Sequence, residues 1–69
     1  MSQVVRQKIA NKIYELRLQS KLSREELSLR LGLDNSYISK LERCKINISI
    51  DRLEDIANFF NIKIVEFFQ

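Results

Sequence analysis

The sequence predicts an all-α protein, a compact bundle of five helices forming one domain over residues 1–69. Three observations carry this prediction. Proline is absent and glycine occurs once, so the two strongest helix breakers are nearly missing. Apolar residues recur at helical spacing along most of the chain. Two helix starts, Leu22-Ser23 and Leu33-Asp34, are written in the same grammar of an apolar residue followed by a capping residue, and Gly32 stands between them.

The elements follow in order. Val5, Ile9, Ile13 and Leu16 form one apolar stripe, which predicts a first helix over residues 4–20 with Arg6, Lys8, Lys12, Glu15 and Arg17 on its other faces. Ser23 is placed to cap a second helix. Glu26, three residues on, completes a capping box, and Leu22 and Leu27 are spaced as a hydrophobic staple. Leu27 and Leu31 make the inner face, and Gly32 can end the helix in the left-handed conformation without a Cβ clash. Asp34 is expected to cap a third helix, with Leu33 and Ile38 as its staple. Ile38 and Leu41 then point inward, which leaves Asn35, Ser36, Ser39, Lys40 and Arg43 on the exposed side.

After a loop over residues 44–48, Ser49 is expected to cap a fourth helix, with Ile48 and Leu53 as the staple. Leu53, Ile56, Ala57 and Phe60 recur as a buried helical face, and Asn61 is a plausible left-handed stop. Residues 62–68 hold Ile62, Ile64, Val65, Phe67 and Phe68 and are read as a short fifth helix. Their β-branched content would also suit a strand, but no partner strand exists.

Two short helices joined by a tight turn have the layout of a helix-turn-helix, whose second helix lies in the major groove of DNA. The charge distribution agrees. The net charge is +3, but residues 1–45 carry ten Lys/Arg against five Asp/Glu, whereas residues 46–69 carry two against four. The basic part contains the helix pair, where a polyanion would dock. A solvated surface with chance asymmetry is the alternative reading of charge alone.

Composition also excludes several classes. One cysteine and no histidine leave neither an internal disulfide nor a zinc site. No apolar run approaches the roughly 20 residues that span a bilayer, and the N-terminus lacks a signal-peptide core. A soluble cytoplasmic protein without membrane contact is expected, and no cofactor. Enzymatic function is disfavoured: there is no glycine-rich phosphate loop and no nucleophile beside an evident base.

The runs Leu22-Ser23-Arg24-Glu25-Glu26-Leu27, Leu31-Gly32-Leu33 and Tyr37-Ile38-Ser39-Lys40-Leu41-Glu42-Arg43 together resemble the Cro/C1-type (XRE) helix-turn-helix family. Leu53-Glu54-Asp55-Ile56-Ala57 and the closing Glu66-Phe67-Phe68 are similar to that family's later helices, so the resemblance covers residues 9–68. It implies the lambda-repressor-like fold, with the helix-turn-helix formed by helices two and three. The run Asn47-Ile48-Ser49-Ile50 and the segment Leu33-Asp34-x-x-Tyr37-Ile38-Ser39 look most like the controller proteins of restriction–modification systems. Phage repressors and antitoxins share most of the pattern and stay open as alternatives. The chain departs from the family's usual residues at three positions: Arg24 replaces glutamine, Ser28 replaces alanine where the two helices touch, and Cys44 replaces a glycine after Glu42-Arg43. A cysteine there is strained if the backbone turns left-handed.

The resemblance implies a sequence-specific regulator of transcription binding double-stranded DNA. Asn35, Ser36 and Lys40 occupy the positions most used for base contacts, with Ser39 and Arg43 one turn on and able to reach bases or phosphates. Asparagine can bridge adenine N6 and N7, and lysine can donate to guanine O6 and N7. Arg24, Tyr37, Arg43, Lys45 and Asn47 are the phosphate candidates, Tyr37 being equally suited to packing at the core edge. Glu42 is expected to be structural, with Arg17 as its partner in the family fold, and Cys44 inert. One domain reads few base pairs, so a homodimer on a near-palindromic operator is expected, with half-sites about one helical turn (roughly 34 Å) apart or at a related spacing. Phe59, Ile64, Val65 and Phe68, within residues 59–68, exceed what one small core hides and are the candidate dimer surface. RNA polymerase is a further candidate partner. A protein-interaction module that has lost DNA binding is the competing reading.

Overall fold

The computed structural model describes residues 1–69. Its elements are α1 (Gln3–Gln19), α2 (Arg24–Arg30), α3 (Tyr37–Glu42), α4 (Ile50–Phe59) and a closing 3-10 helix (Ile64–Phe68), with no strand. The all-helical class is therefore as expected, but the count is four α-helices, not five. The fifth apolar segment winds tighter. Its three-residue repeat puts Ile64 and Phe67 on one side and Val65 and Phe68 on the other. Phe67 is fully buried and Ile64 packs on the core, while Val65 and Phe68 stay exposed. Glu66 holds the turn by accepting from the Lys63 amide at 3.2 Å.

Three of the four α-helices start on a serine cap, two of them, Ser23 and Ser49, at the residues expected. Ser2, Ser23 and Ser49 each sit in extended backbone, and each hydroxyl accepts from the amide three residues on, at 3.2, 3.0 and 3.1 Å. The capping box at α2 is complete, because Glu26 Oε1 accepts in turn from the Ser23 amide at 3.3 Å.

The start of α3 differs from expectation. Asp34 does not cap the helix. A tight turn precedes it, closed by the Tyr37 amide donating to the Asp34 carbonyl at 2.9 Å, and helix begins only at Tyr37. Ser36 occupies the cap position with helical backbone and makes no capping bond. Leu33 is half-buried and stays off the core that holds Ile38, so the expected staple is absent there.

All four α-helices end the same way. Lys21, Gly32, Cys44 and Asn61 each have a positive φ, between 55° and 74°. The amide of each bonds a carbonyl three residues back, and the following amide (Leu22, Leu33, Lys45, Ile62) bonds one five residues back. This paired arrangement is the Schellman motif, which satisfies the last carbonyls of a helix. Only one of the four positions is glycine. A left-handed backbone costs an L-residue roughly 1–2 kcal/mol. Cys44 thus adopts the strained conformation that its replacement of glycine raised as a question.

The core gathers Ile9, Ile13 and Leu16 of α1, Leu27 of α2, Ile38 and Leu41 of α3, Ile48, then Leu53, Ile56 and Ala57 of α4, and Phe67. Two cations of α1 lie against the protein rather than in open solvent. Arg17 is buried, and Arg6 is half-buried beside Ile9, Leu41, Ile46 and Ile48 with its Nε unpartnered. No helix is long and apolar enough to cross a membrane.

The left-handed residues give a direct prediction. Cys44→Gly removes the Cβ strain, and glycine's greater unfolded-state freedom offsets part of the gain. We expect a net stabilisation of about 0.5–1 kcal/mol, seen as a higher urea midpoint at unchanged slope. Gly32→Ala should shift the midpoint the other way.

Candidate nucleic-acid interface

The candidate site is the outward side of α3. Its inward side is fixed by the burial of Ile38 and Leu41. Helical spacing then aligns Ser36, Ser39, Lys40 and Arg43, at i, i+3, i+4 and i+7, along the opposite surface. Lys40 and Arg43 are exposed, and Ser36 and Ser39 are half-buried. Asn35 is exposed in the turn just before the helix, and Lys45 and Asn47 are exposed in the loop just after it. Among the cations, Lys40, Arg43 and Lys45 belong to no ion pair within the chain.

A six-residue helix is far below the length at which isolated helices persist. Its order comes from neighbours. Ser28 of α2 is fully buried; its hydroxyl donates to the Arg24 carbonyl at 2.9 Å and accepts from the Ile38 amide at 3.0 Å. One of the free amides in the first turn of α3 is thereby satisfied from the preceding helix. Serine at this contact is small enough for close approach, and it also supplies the cap that the segment before α3 lacks.

The far end of α3 is held by charge. The Glu42 side chain is 6% exposed and accepts from Arg17 Nε at 2.8 Å, Arg17 Nη2 at 3.3 Å and Arg24 Nε at 2.9 Å. Arg17 Nη1 also donates to the Leu22 carbonyl at 3.0 Å, which ties the turn between α1 and α2 to the same cluster. The single acid of α3 is therefore neutralised and turned away from the cationic surface. The expected Arg17–Glu42 pair is present. Arg24 joins it while remaining half-exposed, so its Nε is committed to Glu42 rather than free.

Tyr37 packs on the core with the Arg52 guanidinium 5.5 Å from its ring centroid. Burial pushes the Tyr37 phenol above its ordinary pKa, and Arg52 pulls it partly back. The hydroxyl therefore keeps its proton and can donate. Tyr37 ionises more readily unfolded than folded, so this group erodes stability only as pH climbs past the ordinary tyrosine range. Arg52 was not among the residues singled out from sequence. A signal existed: a cation in the first turn of a helix opposes the dipole, which invites a compensating contact.

The dimer candidates lie on other elements. Phe59 ends α4, and Ile64, Val65 and Phe68 belong to the 3-10 helix, which packs on α1 and α4. Phe59, Val65 and Phe68 are exposed; Ile64 is half-buried against its own core.

Comparison with known proteins agrees with this architecture. A helix-turn-helix family model matches residues 13–67. The control protein C.BamHI of Bacillus amyloliquefaciens is 31% identical over 64 residues, spanning 91% of this chain and 79% of that protein. The crystal structure of a hypothetical transcription factor, NHTF, from Neisseria superposes with a TM-score of 0.88 at 28% identity, over 94% of this chain and 75% of that one. The fold and the exposed helix define a DNA-binding regulator of transcription, not an enzyme. The chain belongs to the helix-turn-helix family, of the Cro/C1 type.

The Glu42 cluster carries the second prediction. Glu42→Gln leaves the buried Arg17 without its counter-charge, and breaking a buried pair in this way costs about 3–5 kcal/mol. Arg24→Ala removes a half-exposed partner and should cost under about 1 kcal/mol. Urea denaturation of the two variants beside the parent measures the contrast; equal losses would show that Arg17 does not depend on Glu42.

Proposed function

We propose that this protein is a sequence-specific regulator that binds double-stranded DNA as a homodimer on a near-palindromic operator, and that it serves as a controller of a restriction–modification system. One observation carries the DNA-binding part: the only acid of α3 is buried between two arginines, while Lys40 and Arg43 stand unpaired on the opposite side. Asn35, Ser36, Ser39 and Lys40 read base edges. Arg24, Tyr37, Arg43, Lys45 and Asn47 hold phosphates and set the register. Arg52, stacked on Tyr37, is a further phosphate candidate. Arg24 keeps a structural bond through Nε, so only its terminal amino groups serve DNA.

The dimer reading is supported by large apolar side chains left open on one copy. Val65 is 51% exposed, Phe59 38% and Phe68 36%. An isologous contact through the end of α4 and the 3-10 helix would cover them in both copies. The controller reading is favoured by the likeness to a protein named as a control protein, C.BamHI. Phage-type repressors and antitoxins are the alternatives within the family, and a methyltransferase gene beside this one would separate them. Contact with RNA polymerase would follow if the regulator activates.

Base and phosphate roles separate by their signatures. After an operator is selected from random duplexes, Lys40→Ala and Asn35→Ala should each cost about 1–3 kcal/mol on it and little on unrelated DNA. Arg24→Ala should weaken every sequence and lower the salt slope by about one. Equal losses on operator and random duplex for Lys40→Ala would count against base readout.

For the assembly, Val65→Asp puts a charge on the proposed contact without touching the core. Sedimentation should show a dimer for the parent and a folded monomer for the variant. A parent that stays monomeric on and off DNA would sink the dimer reading.

A further inference from the structure

We propose that Asp34 and Ser36 act as one acceptor-only reader, and that the base they face in each half-site is a cytosine. The inference rests on the DNA-binding reading above and assigns Asp34 a role in specificity. The carrying observation is a single bond. Ser36 Oγ lies 2.9 Å from Asp34 Oδ2, and a carboxylate only accepts, so the hydroxyl donates its one proton to Asp34.

The surroundings keep that proton there. Ser36 makes no bond to the helix backbone, so nothing else competes for the hydroxyl. The turn closed by the Asp34 carbonyl and the Tyr37 amide sets the two side chains beside each other. Asp34 is exposed and forms no ion pair within the chain. A hydrogen bond to an ionised acceptor is roughly twice as strong as a neutral one. Turning the hydroxyl towards a base carbonyl would exchange the stronger bond for the weaker. Ser36 thus presents lone pairs to the groove, and Asp34 presents a second acceptor next to them.

The major-groove edges respond differently to such a pair. Guanine offers O6 and N7 and thymine offers O4, all acceptors, so both are repelled. Adenine offers its N6 amino group, but the N7 acceptor sits beside it and meets the same anion. Cytosine offers the N4 amino group without an adjacent acceptor, and Asp is a known match for it. Lys40, one helical turn beyond Ser36 on the same side, brings the opposite chemistry. It donates where a guanine presents O6 and N7. The start of α3 therefore selects an amino group, and the next turn selects acceptors.

The test uses the full chain and duplexes bearing the operator selected by the parent protein, titrated at one salt concentration. At one position per half-site, changing cytosine to thymine should weaken the parent about tenfold or more. Asp34→Asn adds an amide donor, so its preference at that position should move towards thymine or guanine. Ser36→Ala should reduce the cytosine preference there to within about threefold, taking a good base contact as worth about tenfold or more. Arg24→Ala is the control and should lower affinity for all duplexes while keeping the cytosine preference. Circular dichroism shows whether each variant is folded. An operator whose base preferences are the same for parent, Asp34→Asn and Ser36→Ala overturns this inference while leaving the regulator reading intact. A parent that favours thymine or guanine where Asp34→Asn alters preference overturns it as well. A parent that selects no sequence overturns both together.

Discussion

One buried carboxylate ties together three helices. Glu42 closes α3, receives Arg17 from α1 and Arg24 from α2, and is almost wholly removed from solvent. Two buried charges in a domain of this size are a hazard unless each is satisfied. Here geometry satisfies them: Arg17 spends three donors on Glu42 and the Leu22 carbonyl, and Glu42 uses both oxygens. The same cluster disposes of the only negative charge in α3. A shared ion cluster therefore orients α3 and removes from its outer surface the charge that would repel a phosphate backbone.

Much of this was legible beforehand because it is local. A serine three residues before a glutamate predicts a capping box whatever the tertiary structure, and Ser23–Glu26 forms one. The stripe from Ile9 to Leu16 and the repeat from Leu53 to Ala57 are periodic enough to identify their buried faces. Gly32 and Asn61 are residues that tolerate positive φ, and both adopt it. Lys21 is not such a residue, and nothing near it in sequence announces the left-handed turn it makes. Its conformation is imposed by the need to satisfy the end carbonyls of α1.

What was not legible depends on partners far along the chain. Asp34 followed by a helical pattern reads as a cap, but the α3 amide that needed one is bonded by Ser28, ten residues earlier. The Tyr37 amide, which a capping Asp34 would have bonded, goes to the Asp34 carbonyl instead, and the Asp34 carboxylate accepts from the Ser36 hydroxyl. The 3-10 closure is equally non-local. Lys8 Nζ reaches the Phe68 carbonyl at 3.4 Å, and Lys12 lies 3.9 Å from Glu66, so α1 anchors the segment at both its middle and its end. A period of three then sends Ile64 and Phe67 towards the core and leaves Val65 and Phe68 exposed.

These features bear on how recognition and stability are related. α3 is too short to persist by itself, so its order derives from Ile38, Leu41, Ser28 and the Glu42 cluster. The residues proposed to touch DNA make almost none of those contacts: Asn35, Lys40 and Arg43 are exposed and unpaired. Inner and outer faces can therefore change independently. Substitutions outside should alter which duplex is bound with little effect on folding, whereas substitutions inside should act on both, because a helix that is not held cannot present a surface. Arg24 and Tyr37 are the exceptions: Arg24 bonds Glu42 and Tyr37 packs on the core, so at each the two properties are coupled through a single side chain.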